Sequence, residues 1–242
     1  MALPRIVTPE FDTQIPSTQQ EIRYRPFLVK EEKVLFMAME SQDTKAIANA
    51  MNQVLSNCII EPTDINYNAL AAYDVEYLFL QLRSKSVGEN IKVTVHHPGW
   101  DEEGSDICKY AHEVEIPIED VKIEGSTSSD PIMITDTMGL IMRHPTMMDM
   151  TTAAVTGEPS MDQIMEMMYG LVVNVFDDKE VYDQFSHEEI TEFFDSLNQA
   201  QFEKVLEHFQ NMPQLRYEVK WTCPSCGKED SVMLEGLTAF FT

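Results

Sequence analysis

The sequence predicts an α+β fold in which helical blocks are separated by two β-rich pieces. Apolar residues recur at intervals of three and four through residues 30–90 and 145–213, which is the spacing of amphipathic helices. In residues 91–124 and 214–242 apolar and polar residues alternate instead, as they do in half-buried strands. The regions follow from the N-terminus in the order arm, helices, hairpin, linker, helices, hairpin.

The composition is that of an acidic globular protein. Among 242 residues, 17 Lys and Arg stand against 41 Asp and Glu, a formal net charge of −24. Such a surface repels phosphates, so we expect no direct nucleic-acid binding and a preference for basic protein partners. No apolar run reaches the roughly 18 residues that span a bilayer, so we expect no membrane insertion. The first residues lack a secretory signal, and the four cysteines are therefore expected to remain thiols or metal ligands in a reducing cytoplasm.

The first 29 residues are predicted to form an extended N-terminal arm or hairpin. Pro9, Pro16 and Pro26 punctuate this segment, and Ile22 and Tyr24 alternate with polar residues. Such an arm can add a strand to a neighbouring protein, or it can pack on its own domain. The sequence leaves both possibilities open.

Three helices are predicted in residues 30–90. Their apolar stripes are Val34, Met37 and Ala38, then Ile47, Met51, Val54, Leu55 and Cys58, and finally Tyr77, Leu78 and Leu82. Pro62 follows the second helix, and Gly88 closes the third, which runs from Tyr73 to Ser86. Because Cys58 lies on an apolar face, it is predicted to fill the core.

Residues 125–144 are predicted to be a linker followed by two short strands. Gly125 to Ser129 contains only Gly, Ser and Thr, which favours a loop. The strands are expected at 131–135 and 139–143.

The region 145–213 is predicted to be a helical insertion. Ser160 is a candidate cap for a helix over Met161–Phe176. Ser186 and Glu189 have the spacing of a capping box and open the next helix, and Pro213 ends the last one.

Cys223-Pro-Ser-Cys226-Gly227 is the strongest motif in the chain. Two thiolates three residues apart around a tight turn can bind one tetrahedral ion, and the glycine frees backbone amides to face sulfur. A closed structural zinc site has four protein ligands, so the rest of the sequence should supply two more.

The segment 91–118 repeats the pattern of residues 217–234. Val93, Val95 and His97 have the spacing of Val219, Trp221 and Cys223, and Cys108 precedes Val114 and Ile116 by the intervals that separate Cys226 from Val232 and Leu234. We therefore predict a structural Zn²⁺ held by His97, Cys108, Cys223 and Cys226. The complete prediction is α+β, with helical blocks around a split zinc-ribbon-like pair of β-hairpins and an extended N-terminal arm.

Two alternatives to this ligand set stay open. His112 rivals His97 as the fourth ligand if a turn at 109–111 brings it towards the metal. Alternatively, Cys108 is a small buried residue, and the paired hairpins hold no metal at all.

The sequence does not predict an enzyme. It lacks phosphate-binding loops, dinucleotide fingerprints, nucleophile elbows and the His-Glu-x-x-His motif. With 41 carboxylates, groups such as Asp101 to Glu103 or Asp177 with Asp178 are expected by chance in solvated loops. A closed zinc site has no open position at which water could be activated.

Three ordered signatures carry a resemblance to a known family. They are Thr8-Pro-Glu-Phe11 continuing to Tyr24-Arg-Pro-Phe-Leu-Val-Lys-Glu-Glu-Lys33; Asp74-Val-Glu-Tyr-Leu-Phe-Leu-Gln-Leu-Arg83 followed by Lys85-Ser-Val-Gly-Glu89; and Cys223 to Cys226 with Leu234-Glu-Gly-Leu237 and Phe240-Phe241. Together they resemble the T-even-like bacteriophage baseplate hub subunit family, which includes a related hub assembly catalyst. His97 departs from a cysteine-based first knuckle.

The resemblance implies a structural component of the contractile tail baseplate. It implies location in the virion, assembly in the host cytoplasm, and hetero-oligomeric contacts with other baseplate or hub proteins, for which Phe240 and Phe241 offer aromatic anchors. The alternative within the family is an assembly factor that promotes hub formation and then leaves. Outside it, the alternatives are a zinc-ribbon accessory subunit of a nucleic-acid enzyme and a metal-dependent hydrolase.

Overall fold

The computed structural model describes residues 7–41, 43–98, 109–153 and 160–236. Over these residues the chain combines α-helices with four small antiparallel sheets, which confirms the mixed class predicted from the sequence. Buried apolar side chains form two separate hydrophobic cores. The first core contains the N-terminal region and the two hairpins, and the second is formed by residues 132–212.

Short helices and strands alternate along the described residues. The helices are α1 (Val29–Ser41), α2 (Thr44–Cys58), α3 (Ala72–Ser86), α4 (Met147–Ala153), α5 (Met161–Leu171), α6 (His187–Asp195) and α7 (Gln199–Gln210), and a 3₁₀ turn spans Ile118–Asp120. The strands are β1 (Phe11–Gln14), β2 (Glu21–Tyr24), β3 (Ile59–Glu61), β4 (Asn90–Pro98), β5 (Lys109–Pro117), β6 (Lys122–Glu124), β7 (Ile132–Met133), β8 (Gly139–Met142), β9 (Val172–Phe176), β10 (Val181–Tyr182), β11 (Gln214–Thr222) and β12 (Glu229–Glu235).

The N-terminal region packs on its own chain. Strands β1 and β2 form a hairpin, and β2 pairs with β3 in a sheet of order β1-β2-β3. Ile15, Ile22 and Tyr24 are buried in the first core. Of the predicted arm or hairpin, the structure contains the hairpin, over residues 11–24, and its alternating apolar face packs into the chain's own first core.

Helices α1 to α3 form where the apolar spacing predicts them. Val54, Leu78 and Leu82 are buried, and the side chain of Asp43 caps α2 by accepting from the Lys45 amide. Chain reversal after α3 uses Gly88 at φ +145°, a conformation that side-chain-bearing residues rarely adopt.

Both predicted hairpins are present as antiparallel strand pairs. Strand β4 pairs with β5 along its whole length, and β11 pairs with β12 and, on its other edge, with β6. The faces of β4 and β11 that carry Val93, Val95 and Val219 are buried in the first core. The hairpins thus belong to one packed unit although residues 118–213 lie between them in the sequence.

The second core corrects one sequence prediction. The helix predicted over Met161–Phe176 ends at Leu171, and the chain continues as strand β9. The β-branched residues Val172, Val173 and Val175 favour a strand, and pairing with β8 outweighs the helical spacing of the apolar residues. The predicted insertion therefore contributes strands to a sheet of order β10-β9-β8-β7.

Side-chain caps define the helix starts of the second core. Ser160 and Ser186 each accept from the amide of the N3 residue, whose side chain bonds back to the serine amide. These capping boxes confirm both predicted starts. The predicted linker lies against the end of α7, where a Cβ on Gly125 would approach the Met212 carbonyl oxygen to 2.6 Å.

Candidate metal centre

The two cysteines of the strongest motif lie on the tight turn between β11 and β12. The Cys223 amide donates to the Lys228 carbonyl, and the Gly227 amide donates to the Cys223 carbonyl, both over 2.8 Å. Gly227 has φ +73°, so the turn needs a residue that tolerates the left-handed region. Cys223 is buried at the base of the turn and Cys226 is exposed at its tip.

The two hairpins have equivalent registers. Val93 pairs with Val114 in the first hairpin, and Val219 pairs with Val232 in the second. Position 97 follows Val93 by the same four residues that separate Cys223 from Val219. The alignment of the two segments that suggested the ligand set therefore matches the strand pairing of both hairpins.

Aromatic stacking joins the hairpins to each other. The His112 ring on β5 and the Trp221 ring on β11 have centroids 5.9 Å apart and an interplanar angle of 22°. Trp221 lies two residues before Cys223, so this contact holds β5 beside the cysteine turn. His112 thus has a packing role whether or not it binds metal.

The described residues contain part of the predicted ligand set. Cys108 lies outside them, and for His97 only the backbone is described, in β4 opposite Tyr110. Within the described ranges, no group of three or more His, Cys, Asp or Glu could hold a metal ion. What the structure describes is two thiols on one turn, a donor pair that suits Zn²⁺.

The remaining described cysteine belongs to the core. Cys58 is the last residue of α2 and is fully buried. Burial raises the pKa of its thiol to about 11, so it stays protonated at neutral pH and is a poor metal ligand. This agrees with the prediction from its helical face.

Asp177, one of the carboxylates singled out in the sequence, stabilises a turn. Asp177 accepts from the backbone amides of Lys179 and Glu180, and these hydrogen bonds lower the pKa of its carboxyl group. Such hydrogen bonds are typical of a surface loop, which is the setting that the sequence predicts for Asp177. Asp101 to Glu103 lie outside the described residues, and so do the aromatic anchors Phe240 and Phe241.

Comparison with protein families decides the identity of the chain. The family model described as T4 bacteriophage base plate protein matches residues 8–242. The chain belongs to this family. Searches among curated proteins and among solved structures give no match.

Membership makes the chain a structural component of the phage baseplate. A base plate protein is located in the tail of the virion and contacts other tail or baseplate proteins. No helix in the described part of this base plate protein is long and apolar enough to cross a bilayer.

Some features of this base plate protein escaped the sequence analysis. The stacking of His112 on Trp221 is one, because Asp230 occupies the position equivalent to His112 in the second hairpin and gives no hint of an aromatic contact. A methionine-lined groove between the two cores is another. The sequence feature that could have indicated this groove is the high count of 16 methionines.

Proposed function

We propose that this base plate protein is a structural subunit of the central hub of the contractile tail, acting through protein–protein contacts. The observation that carries the proposal is the family match over nearly the whole chain. The three ordered signatures, which resemble hub subunits in particular, support the finer assignment to the hub.

The surface of α1 supports a role in protein–protein contact. Val29, Phe36 and Met37 are 64%, 62% and 70% exposed, and they lie on the outward side of this helix. Contiguous apolar patches on a protein surface mark interaction sites when they are large. The neighbouring residues Lys30 and Lys33 are positively charged, although the chain as a whole is acidic. They give this face of α1 a mixed charge.

Particle stoichiometry tests the hub assignment. Quantitative mass spectrometry of purified mature particles should find the chain at a fixed ratio to other baseplate proteins. A chain that is needed for tail assembly but missing from mature particles would instead be the assembly factor of the same family.

We further propose that one structural zinc ion joins the two hairpins through His97, Cys108, Cys223 and Cys226. The equivalent registers and the two thiols of the cysteine turn support this set. Four protein ligands give the ion a structural role, and apparent binding energies of about 10–16 kcal/mol at such sites exceed the net stability of most domains. The ion would close a loop of more than a hundred residues.

Elemental analysis tests the zinc proposal. The purified chain should contain one zinc per molecule, and Cys223→Ser should lose it. Cys58→Ala is the matched control, since it removes a buried thiol of α2 that is not in the proposed ligand set and should keep the metal. Comparing His97→Ala with His112→Ala identifies the fourth ligand. A chain without zinc, or a Cys223→Ser chain that keeps it, would show the proposal to be wrong.

A further inference from the structure

An apolar groove of about 540 Å³ lies where the two hydrophobic cores meet. Its walls come from α1, α2 and α3 of the first core, from α4, and from α5 and the end of α7 of the second. Six methionines line it: Met39, Met51, Met147, Met150, Met167 and Met212. The volume is within the roughly 300–1,000 Å³ of binding pockets, and methionine side chains adapt to the shape of what they bind.

The chain reaches this groove at its last described residue. Gly236 follows β12 and itself lines the groove. Its amide donates to the Leu215 carbonyl over 3.0 Å, and its φ of +67° turns the backbone out of the strand. The described part of the chain therefore ends at the wall of an apolar groove.

The six residues after Gly236 have the composition of an occupant. They are Leu237, Thr238, Ala239, Phe240, Phe241 and Thr242, which include two phenylalanines and no charged side chain. Six extended residues reach up to about 20 Å, enough to run along the groove from Gly236. The charged side chains described in the groove lining are Glu76 and Glu235, and no side chain of the segment carries a charge that they would repel.

We propose that the C-terminal segment 237–242 binds in the groove of its own chain and packs the two cores together. Tethering at Gly236 gives the segment an effective concentration in the millimolar range, which favours its own groove over that of another molecule. Burying two phenylalanine side chains among methionines also gains sulfur–aromatic contacts. The segment thereby acts as a clasp between the first and second cores.

Methionine-methyl NMR on the full chain tests the clasp. Ring currents from Phe240 and Phe241 should shift the methyl signals of groove residues such as Met51 and Met147. The double variant Phe240→Leu/Phe241→Leu keeps the segment apolar but should abolish these shifts. Thr238→Ser is the matched control and should preserve them. Groove methyl signals that do not change in the double variant would overturn the proposal.

A peptide experiment separates the possible occupants. A chain ending at Gly236 should bind a labelled Leu-Thr-Ala-Phe-Phe-Thr peptide at least roughly 100-fold more tightly than the full chain, whose own segment competes. Equal binding to both chains, or binding to neither, would overturn the proposal. Methyl shifts that disappear on dilution, together with a dimer in sedimentation, would assign the segment to a second copy and also overturn it.

Discussion

The imidazole of His112 stacks on the indole of Trp221 although 109 positions separate them in the chain. Trp221 is largely buried, and its ring lies nearly parallel to that of His112. The contact joins two hairpins of equivalent register, so it fixes how β5 and β11 face each other. It therefore stabilises the same arrangement that a shared metal would require.

Replacing His112 with Ala should lower the free energy of unfolding by about 1 kcal/mol, because the aromatic contact is lost. Trp221→Ala should lower it by about 3–5 kcal/mol, since a large buried side chain is removed. In the Trp221→Ala background, His112→Ala should have a smaller effect, which a urea double-mutant cycle measures. Glu115→Ala, at an exposed position of the same strand, is the control. Additive effects of the two substitutions would contradict the proposed coupling.

Glu31 on α1 and Arg25 form a buried ion pair. The carboxylate is 1% exposed and lies 3.0 Å from an Arg25 guanidinium nitrogen. Glu31→Ala should therefore lower the free energy of unfolding by about 3–5 kcal/mol, since it leaves Arg25 without this partner in a partly buried position. Glu32→Ala changes the neighbouring exposed carboxylate and should have little effect. Chemical denaturation of both variants distinguishes the two outcomes.

The same pair sets an acid dependence of stability. Burial raises the pKa of Glu31, but the hydrogen bonds from Arg25 and the Leu28 amide outweigh it and leave the pKa lowered. The stabilisation that the ionised Glu31 carboxylate gives the folded state is therefore complete above the ordinary glutamate pKa. It is lost as the pH falls through the lowered pKa that Glu31 has in the folded protein. Unfolding curves of the wild type and Glu31→Ala should converge at low pH. A constant difference at every pH would contradict this assignment.

Asp74 in α3 holds the turn of the N-terminal hairpin. Its buried carboxylate accepts from the Ser17 amide over 2.9 Å and from the Ser17 hydroxyl over 2.6 Å. Ser17→Ala should lower the free energy of unfolding at neutral pH by about 1.5–3 kcal/mol, because a hydrogen bond to a charged group is lost. Thr18→Ala on the same exposed turn is the matched control and should be nearly neutral.

The effect of Ser17→Ala should depend on pH. Burial raises the pKa of Asp74, and the Ser17 hydrogen bonds oppose this rise. With a raised folded pKa, the wild type loses stability as the pH rises from the ordinary aspartate pKa to the folded one. Removing the Ser17 hydroxyl should raise the pKa further and widen this window. If Ser17→Ala lowered the free energy of unfolding equally at pH 4 and pH 7, the charge of the Asp74 carboxylate would not be involved.

The exposed face of α1 should matter for assembly and not for folding. Phe36→Ser with Met37→Ser should change the free energy of unfolding by less than about 0.5 kcal/mol, since both side chains are exposed. Incorporation into tails, measured by complementation and particle mass spectrometry, should fall strongly. Val181→Ser removes an equally exposed apolar side chain from the second core region and should leave incorporation unchanged. Normal incorporation of the α1 variant would exclude this face as a contact surface.

The candidate site was predictable where the signal is local. The spacing of Cys223 and Cys226 and the following glycine determine a tight turn, and alternation on both sides determines a hairpin. The weak internal copy predicted the equivalent register of the first hairpin. The choice between His97 and His112 was not predictable, because it depends on how two hairpins distant in sequence pack together.

The sequence by itself determined the types of most elements, the helix starts at Ser160 and Ser186, and the likeness to phage base plate proteins. Only the tertiary structure decided that the N-terminal hairpin packs on its own chain and that residues 172–176 join a sheet instead of extending a helix. The physical reason is the range of the interactions. The spacing of apolar residues and the side-chain caps of helices depend on residues within one or two turns of each other, so they can be recognised in a short stretch of sequence. Strand partners, buried ion pairs and the groove between the cores depend on which distant surfaces exclude water from each other.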